Sequence, residues 1–221
     1  MYLGLAVLAP FANFYVLGRL VVPGDATATA QRLMSNEVLF RSGIASFVIA
    51  AILDVALAWA LYVVLKPVNK TLALLAAWLR LAYAIMFVIA VQSLVSALQL
   101  LSGADYLKVV QQGTLNALAL QSLDTFTTMW DIALVAFGLH LILVGYLVFR
   151  STFLPRLIGV LLIIAGVGYL VQSFATLLLP FPGLGVDLSL VTGWGELLFT
   201  FWLLIRGVNV EQWEKRAREA A

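Results

Sequence analysis

The stretch LIGVLLIIAGVGYLV, residues 157–171, contains no charge and does not alternate between apolar and polar positions. A strand of a membrane barrel would alternate over roughly ten residues, so this run is a helix, which satisfies its own backbone inside hydrocarbon. Such runs dominate the chain: 63% of its 221 residues are hydrophobic, against about 45–50% in soluble domains. Six spans are predicted at about 2–22, 38–65, 71–101, 124–149, 156–180 and 190–206, each close to the ~20 residues that cross a 30 Å core. The expected architecture is an all-α polytopic membrane helix bundle. One membrane domain takes up the whole chain, with a tail over 207–221.

Breakers separate the spans: VPGD at 22–25, KPVNK at 66–70, SGAD at 102–105, FLPR at 153–156 and PFPGLG at 180–185. Pro10 lies inside the first span and predicts a kink there. That span starts MYLGLAVLAP, without the basic region of a secretory signal, so it is expected to remain as a helix.

Charge sets the orientation. Lys66, Lys70, Arg150, Arg156, Arg206, Lys215, Arg216 and Arg218 collect on one side, and Arg19, Arg32, Arg41 and Lys108 on the other. The richer side is cytoplasmic by the positive-inside rule, which puts both termini in the cytoplasm. The Asn69-Lys70-Thr71 sequon then lies in a cytoplasmic turn and should carry no glycan. The 13 basic and 11 acidic residues form no long basic run, and no nucleic-acid partner is expected. Cysteine is absent, which excludes disulfides, thiolate nucleophiles and cysteine metal sites.

The external connections DATATAQRLMSNE (25–37) and ADYLKVVQQGTLNALALQS (104–122) are long enough for short surface helices, with Asp25 as N-cap of the first. The tail NVEQWEKRAREAA reads as a surface helix anchored by Trp213, with Glu211–Lys215 and Glu214–Arg218 pairs.

Four ionisable residues lie inside spans. Asp54 stands 12 positions before Lys66, Arg80 10 after Lys70, His140 10 before Arg150 and Glu196 10 before Arg206. At about 1.5 Å per residue these offsets are about 15–18 Å, the middle of the core, on four different helices. Small-residue stripes carry them: Ser42, Ser46, Ala50 and Ala58 share the Asp54 face, Ala73, Ala76 and Ala84 the Arg80 face, and Gly193, Thr200 and Gly207 the Glu196 face. Gly159, Gly166 and Ser173 mark a close-packing seam on the fifth span. Lipid-facing charge is costly, so the four should pair inside the bundle as candidates for a ligand or proton site. Two carboxylates against one fixed guanidinium leave this layer one positive charge short while His140 is neutral. An exchangeable proton or a bound cation would balance it. Gln92 and Gln172 are secondary polar candidates, and Asp124 and Asp131 lie farther from the cytoplasmic side.

Several chemistries do not fit. One histidine excludes three-histidine zinc and bis-histidine haem within one chain. No metal site is expected at His140, Asp54 and Glu196 either, because Arg80 would repel a cation held among them. No nucleophile elbow, Walker loop or dinucleotide fingerprint occurs, and no cofactor is expected. PGLGVD at 182–187 does not match the intramembrane aspartyl-protease motif, because Asp187 is displaced by one residue. LYVVLKPVNK and GYLVFRSTFLPR resemble each other only slightly, and no inverted repeat is found.

The segments VVPGDATATAQRLMSNEVLFRSGI, LYVVLKPVNKTLALLAAWLRL, LSGADYL, FGLHLILVGYLVFRSTFLPRLIGVLLIIAGVGYLVQSF and GELLFTFWLLIRGVNVEQW cover loops as well as spans. Together they resemble the bacterial integral membrane protein family called domain of unknown function 4386. The resemblance implies a multi-helix inner-membrane protein and supplies no activity, substrate or cofactor. Three readings remain, in this order: binding or transport of a small solute or proton through the Asp/Arg/His/Glu layer, a structural or regulatory membrane subunit, and an intramembrane enzyme using His140 with a carboxylate as acid and base. The expected partners are the lipid bilayer and a small polar or cationic ligand.

Overall fold

The computed structural model describes residues 1–178 and 189–219; the whole PFPGLG turn, together with Asp187, lies outside the described residues. The order is α1 (Tyr2–Pro10), a π-helical segment (Phe11–Leu17), α2 (Gly18–Leu20), α3 (Ala26–Ser35), α4 (Glu37–Leu65), α5 (Lys70–Leu100), a 3-10 turn (Asp105–Leu107), α6 (Gln112–Arg150), α7 (Arg156–Leu178), α8 (Ser189–Ile205) and α9 (Val210–Glu219). No strand occurs among the described residues. Among the described residues, five runs are long and apolar enough to cross a membrane: Tyr2–Leu20, α4, α5, α6 and α7. The 17-residue α8 is shorter, although equally apolar in character. Ile52, Val55 and Trp59 on α4, and Trp78 and Ile85 on α5, point outward and are exposed. A contiguous surface of this kind suits hydrocarbon and not water. The chain is an all-α, multi-pass membrane helix bundle.

Local chemistry sets the ends of the elements. Gly24, at φ +76°, turns the chain so that Asp25 accepts from Ala28 N–H at 2.8 Å and caps α3 as expected. Asn69 of the sequon caps α5, its Oδ1 accepting from Leu72 N–H, and Asn209 caps α9 in the same way. Gly207, at φ +66°, ends α8 and donates to the Trp202 carbonyl. Where Pro10 predicts a kink, the helix passes from α to π geometry.

Two expectations require correction. The helix that carries the fourth predicted span starts at Gln112, because GTLNALALQSLD contains no breaker after Gly113 and is rich in strong helix formers. The connection after α5 therefore holds only a 3-10 turn before a 39-residue helix. In α9 the described ion pair is Arg216–Glu219 at 3.7 Å, in place of the expected Glu211–Lys215 and Glu214–Arg218 pairs. All these side chains face solvent to some degree, where such a pair is worth only tenths of a kcal/mol. Trp213 does anchor the helix, its indole N–H donating to the Val64 carbonyl at 2.8 Å.

Backbone packing divides the chain into two compact units. One comprises Gly4–Leu53 and Ile85–Trp130 and has an aromatic centre. Phe47, Phe87, Phe126 and Trp130 form mutual ring contacts with centroids 5.1–6.4 Å apart. In the same unit α4 approaches the π-helical segment closely, since a Cβ on Gly43 would stand 2.9 Å from a Val16 methyl.

The other unit comprises Met1–Leu3, Asp54–Ala84 and Asp131–Ala221. Glycines set its tightest packing. A Cβ on Gly145 would stand 2.6 Å from the Gly159 carbonyl oxygen, and one on Gly138 2.8 Å from that of Gly166; the converse substitutions meet the same obstruction. The two pairs are seven residues apart on each helix and run in opposite senses, so α6 and α7 pack as an antiparallel heptad seam. A Cβ on Gly195 would likewise stand 2.8 Å from the Leu161 carbonyl, which brings α8 onto α7 directly beside Glu196.

Candidate functional site

Three of the four predicted residues meet directly. The guanidinium of Arg80 donates through Nη2 to Asp54 Oδ1 and through Nη1 to His140 Nε2, the latter at 3.1 Å. Exposures of 4% for Asp54, 3% for Arg80 and 1% for His140 show that the group is sealed. Their small-residue stripes turn inward with them: Ser46, Ala50, Ala58, Ala73, Ala76 and Ala84 are all buried.

The contacts also assign the histidine. A guanidinium only donates and a carbonyl oxygen only accepts, so Nε2 must carry the lone pair. Nδ1 then carries the hydrogen and donates to the Ala76 carbonyl at 2.8 Å. His140 is thus a neutral imidazole with both nitrogens engaged. Asp54 and Arg80 cancel, and the triad is neutral as a whole.

Glu196 stands apart from this triad. Its Oε1 accepts from the Tyr169 hydroxyl at 2.8 Å, and the residue is only half-buried. Among the described residues no basic group forms an ion pair with it, although Arg80 and Asp54 are within Coulombic reach. With the triad neutral, Glu196 is the group of the layer that has no ion-pair partner among the described residues.

Phe137 links the two parts. Its ring lies 5.3 Å from the Arg80 guanidinium carbon, stacks on His140 at 5.9 Å and meets Tyr169 edge-on at 5.5 Å. Tyr83 packs against it at 4.7 Å. The aromatic face stabilises the cation and excludes water from the triad. Sequence reasoning missed both Phe137 and Tyr169. Phe137 lies one turn before His140 on the same face of α6, and Tyr169 three residues after Gly166 of the seam, so spacing carried a signal for each.

The secondary candidates are not drawn in. Gln92 is exposed and belongs to the aromatic unit, and Gln172 is half-buried with no side-chain hydrogen bond among the described residues. Asp124 is exposed; Asp131 is half-buried on α6. No three of the described His, Asp and Glu side chains lie close enough together to hold a metal ion.

Beside the polar group lies an apolar cavity of about 170 Å³. It is walled by Leu57, Leu61 and Leu65 of α4, by Phe199 and Leu203 of α8, and by the ring of Tyr2. These α4 positions follow Asp54 by 3, 7 and 11 residues, and the α8 positions follow Glu196 by 3 and 7. Each helix thus carries its carboxylate and its share of the cavity wall on one face.

No solved structure matches the chain. It is 32% identical over 161 residues to an uncharacterised protein of Archaeoglobus fulgidus, covering 73% of this chain and 81% of that relative. The model of the family described as "Domain of unknown function (DUF4386)" matches residues 1–207. With the apolar runs, the turns between them and the buried triad all inside the matched region, the chain belongs to the family of domain of unknown function 4386.

Proposed function

We propose that the protein binds or transports a small solute or a proton, with Glu196 as the exchange point and Asp54–Arg80–His140 as its rigid support. One observation carries this reading: a half-buried carboxylate at mid-span has a tyrosine hydroxyl but no counter-ion among the described residues, beside a triad whose charges already cancel. An isolated charge there is strongly disfavoured, so the site gains a proton or a cation and can return it. Acid–base catalysis by His140 fits less well, because both ring nitrogens are engaged by Arg80 and Ala76. A purely structural role suits the sealed triad taken alone, but it leaves Glu196 without a purpose.

Infrared spectroscopy of the carboxyl region in lipid nanodiscs, between pH 5 and 8, tests the reading. The expected result is a carboxyl band that changes with pH or added cation, shifts in Tyr169→Phe and disappears in Glu196→Gln. A band that stays constant in all three proteins defeats it.

The same reading has the protein in the cell's inner membrane with both termini cytoplasmic, supported by the eight-to-four excess of Lys and Arg on one side. A reporter that is active only outside the cytoplasm, fused after residue 219, should be silent. Activity there would reverse the orientation.

A further inference from the structure

Lipid is as apolar as leucine, so the cavity alone offers a ligand nothing that the bilayer does not. An organic cation is different, because hydrocarbon penalises its charge and Glu196 relieves that penalty. The cavity is adjacent: Phe199 stands one turn from Glu196, and Tyr2 meets Phe199 edge-on at 5.7 Å. Tyr2 is itself within Coulombic reach of Glu196, Asp54 and Arg80. Aromatic faces beside a carboxylate are what recognises an alkylammonium group. The volume of about 170 Å³ is comparable with the ~150 Å³ apolar cavities that take up benzene, which suits a short alkyl chain.

We propose that Glu196 and this cavity together form a binding site for lipophilic monocations, with the ammonium group at Glu196 and the alkyl part against Leu57, Leu61 and Leu203. The complementary charge is the argument for this occupant: the described polar layer lacks one positive charge, and the missing charge belongs at Glu196. This assignment rests on reading Glu196 as an exchange point.

Calorimetric titration of the full chain in nanodiscs, with empty nanodiscs as control, tests it with three probes. These are n-hexyltrimethylammonium, tetramethylammonium, which has the charge without the tail, and hexanol, which has the tail without the charge. The expected result is saturable binding of n-hexyltrimethylammonium that exceeds both other probes. It should weaken about tenfold or more in Glu196→Gln, and to a similar degree in Ala60→Phe, which fills the cavity from its half-exposed rim. Leu203→Trp fills the same space if Ala60→Phe does not fold. Equal binding of hexanol with no effect of Glu196→Gln makes the cavity an acyl-chain slot and overturns the assignment. Tetramethylammonium binding that depends on Glu196 but ignores both cavity-filling variants also overturns it, while leaving the exchange point standing. If no probe binds but the infrared band still responds to pH, the lipophilic-cation site alone fails; if the band is also constant, both readings fail.

Discussion

The two units use the same three helices and fill their centres in opposite ways. Phe47 on α4 precedes Asp54 by seven residues, Phe87 on α5 follows Arg80 by seven, and Phe126 on α6 precedes His140 by fourteen. Seven residues are about two turns, so on each helix one face supplies an aromatic ring to one unit and a polar group to the other. The aromatic centre is held by dispersion and ring geometry, and it tolerates an orphan: the buried indole N–H of Trp130 has no acceptor among the described residues. The polar centre is held by a charge pair and by directed hydrogen bonds: Arg80 Nη1 and Nη2 and both ring nitrogens of His140 have partners, while the buried Arg80 Nε has none among the described residues. Apolar filling therefore depends on volume, and polar filling on completing the charge pair more than on satisfying every donor.

The largest expected effect follows from completeness. Arg80→Met leaves Asp54 buried without a counter-ion and should cost about 3–5 kcal/mol, read as a lowered midpoint of unfolding in a denaturing detergent. The double variant Asp54→Leu/Arg80→Met removes both charges and should recover most of that loss, because a buried pair is often replaceable by apolar residues of similar volume. A single variant that costs under about 1 kcal/mol would mean that water reaches Asp54, contrary to the sealed geometry. If the double variant fails to recover stability, the support has a value beyond charge balance.

Depth was legible in the sequence, and azimuth only in part. Counting from basic residues puts Asp54, Arg80, His140 and Glu196 at one level, and the small-residue stripes turn the first three inward. The same count does not show that Glu196 bonds to Tyr169 and stands apart from the triad, because residues at one depth can still face different neighbours. For Phe137 and Tyr169 residue type gives no contrast, because an aromatic residue in an apolar helix looks the same whether it faces lipid or a guanidinium; only their spacing from His140 and Gly166 marks them. The state of His140 depended on knowing both of its partners at once. The spacing of Gly159, Gly166 and Ser173 marks a seam on one helix, and Gly138 and Gly145 carry the same seven-residue spacing on its partner, but spacing alone does not say which two helices meet.

Volume dependence in the aromatic unit predicts a smaller effect. Phe87→Leu keeps most of the buried volume and loses ring contacts to Phe47, Phe126 and Trp130. It should cost about 1–1.5 kcal/mol in the same unfolding measurement. A loss as large as that of Arg80→Met would remove the distinction between the two centres, since it would show that ring geometry is as exacting as charge pairing.

The smallest effect tests the polar unit where completeness fails. Ser173 on α7 is 1% exposed, and its hydroxyl has no hydrogen-bond partner among the described residues. The heptad seam explains its position: continuing the Gly145–Gly159 and Gly138–Gly166 pairs by another seven residues carries Asp131 of α6 to the level of Ser173. No described residue forms an ion pair or hydrogen bond with the Asp131 side chain. If the hydroxyl is an uncompensated orphan, Ser173→Ala removes only a desolvation penalty, and stability should stay level or rise by up to about 1 kcal/mol. If Ser173→Ala instead destabilises by more than about 1 kcal/mol, and Asp131→Asn abolishes that difference in a double-mutant cycle, the serine and the aspartate act together. The polar unit would then hold a second bonded pair on the seam, and its requirement for completeness would extend beyond the triad to the helix contact that supports Tyr169 and Glu196.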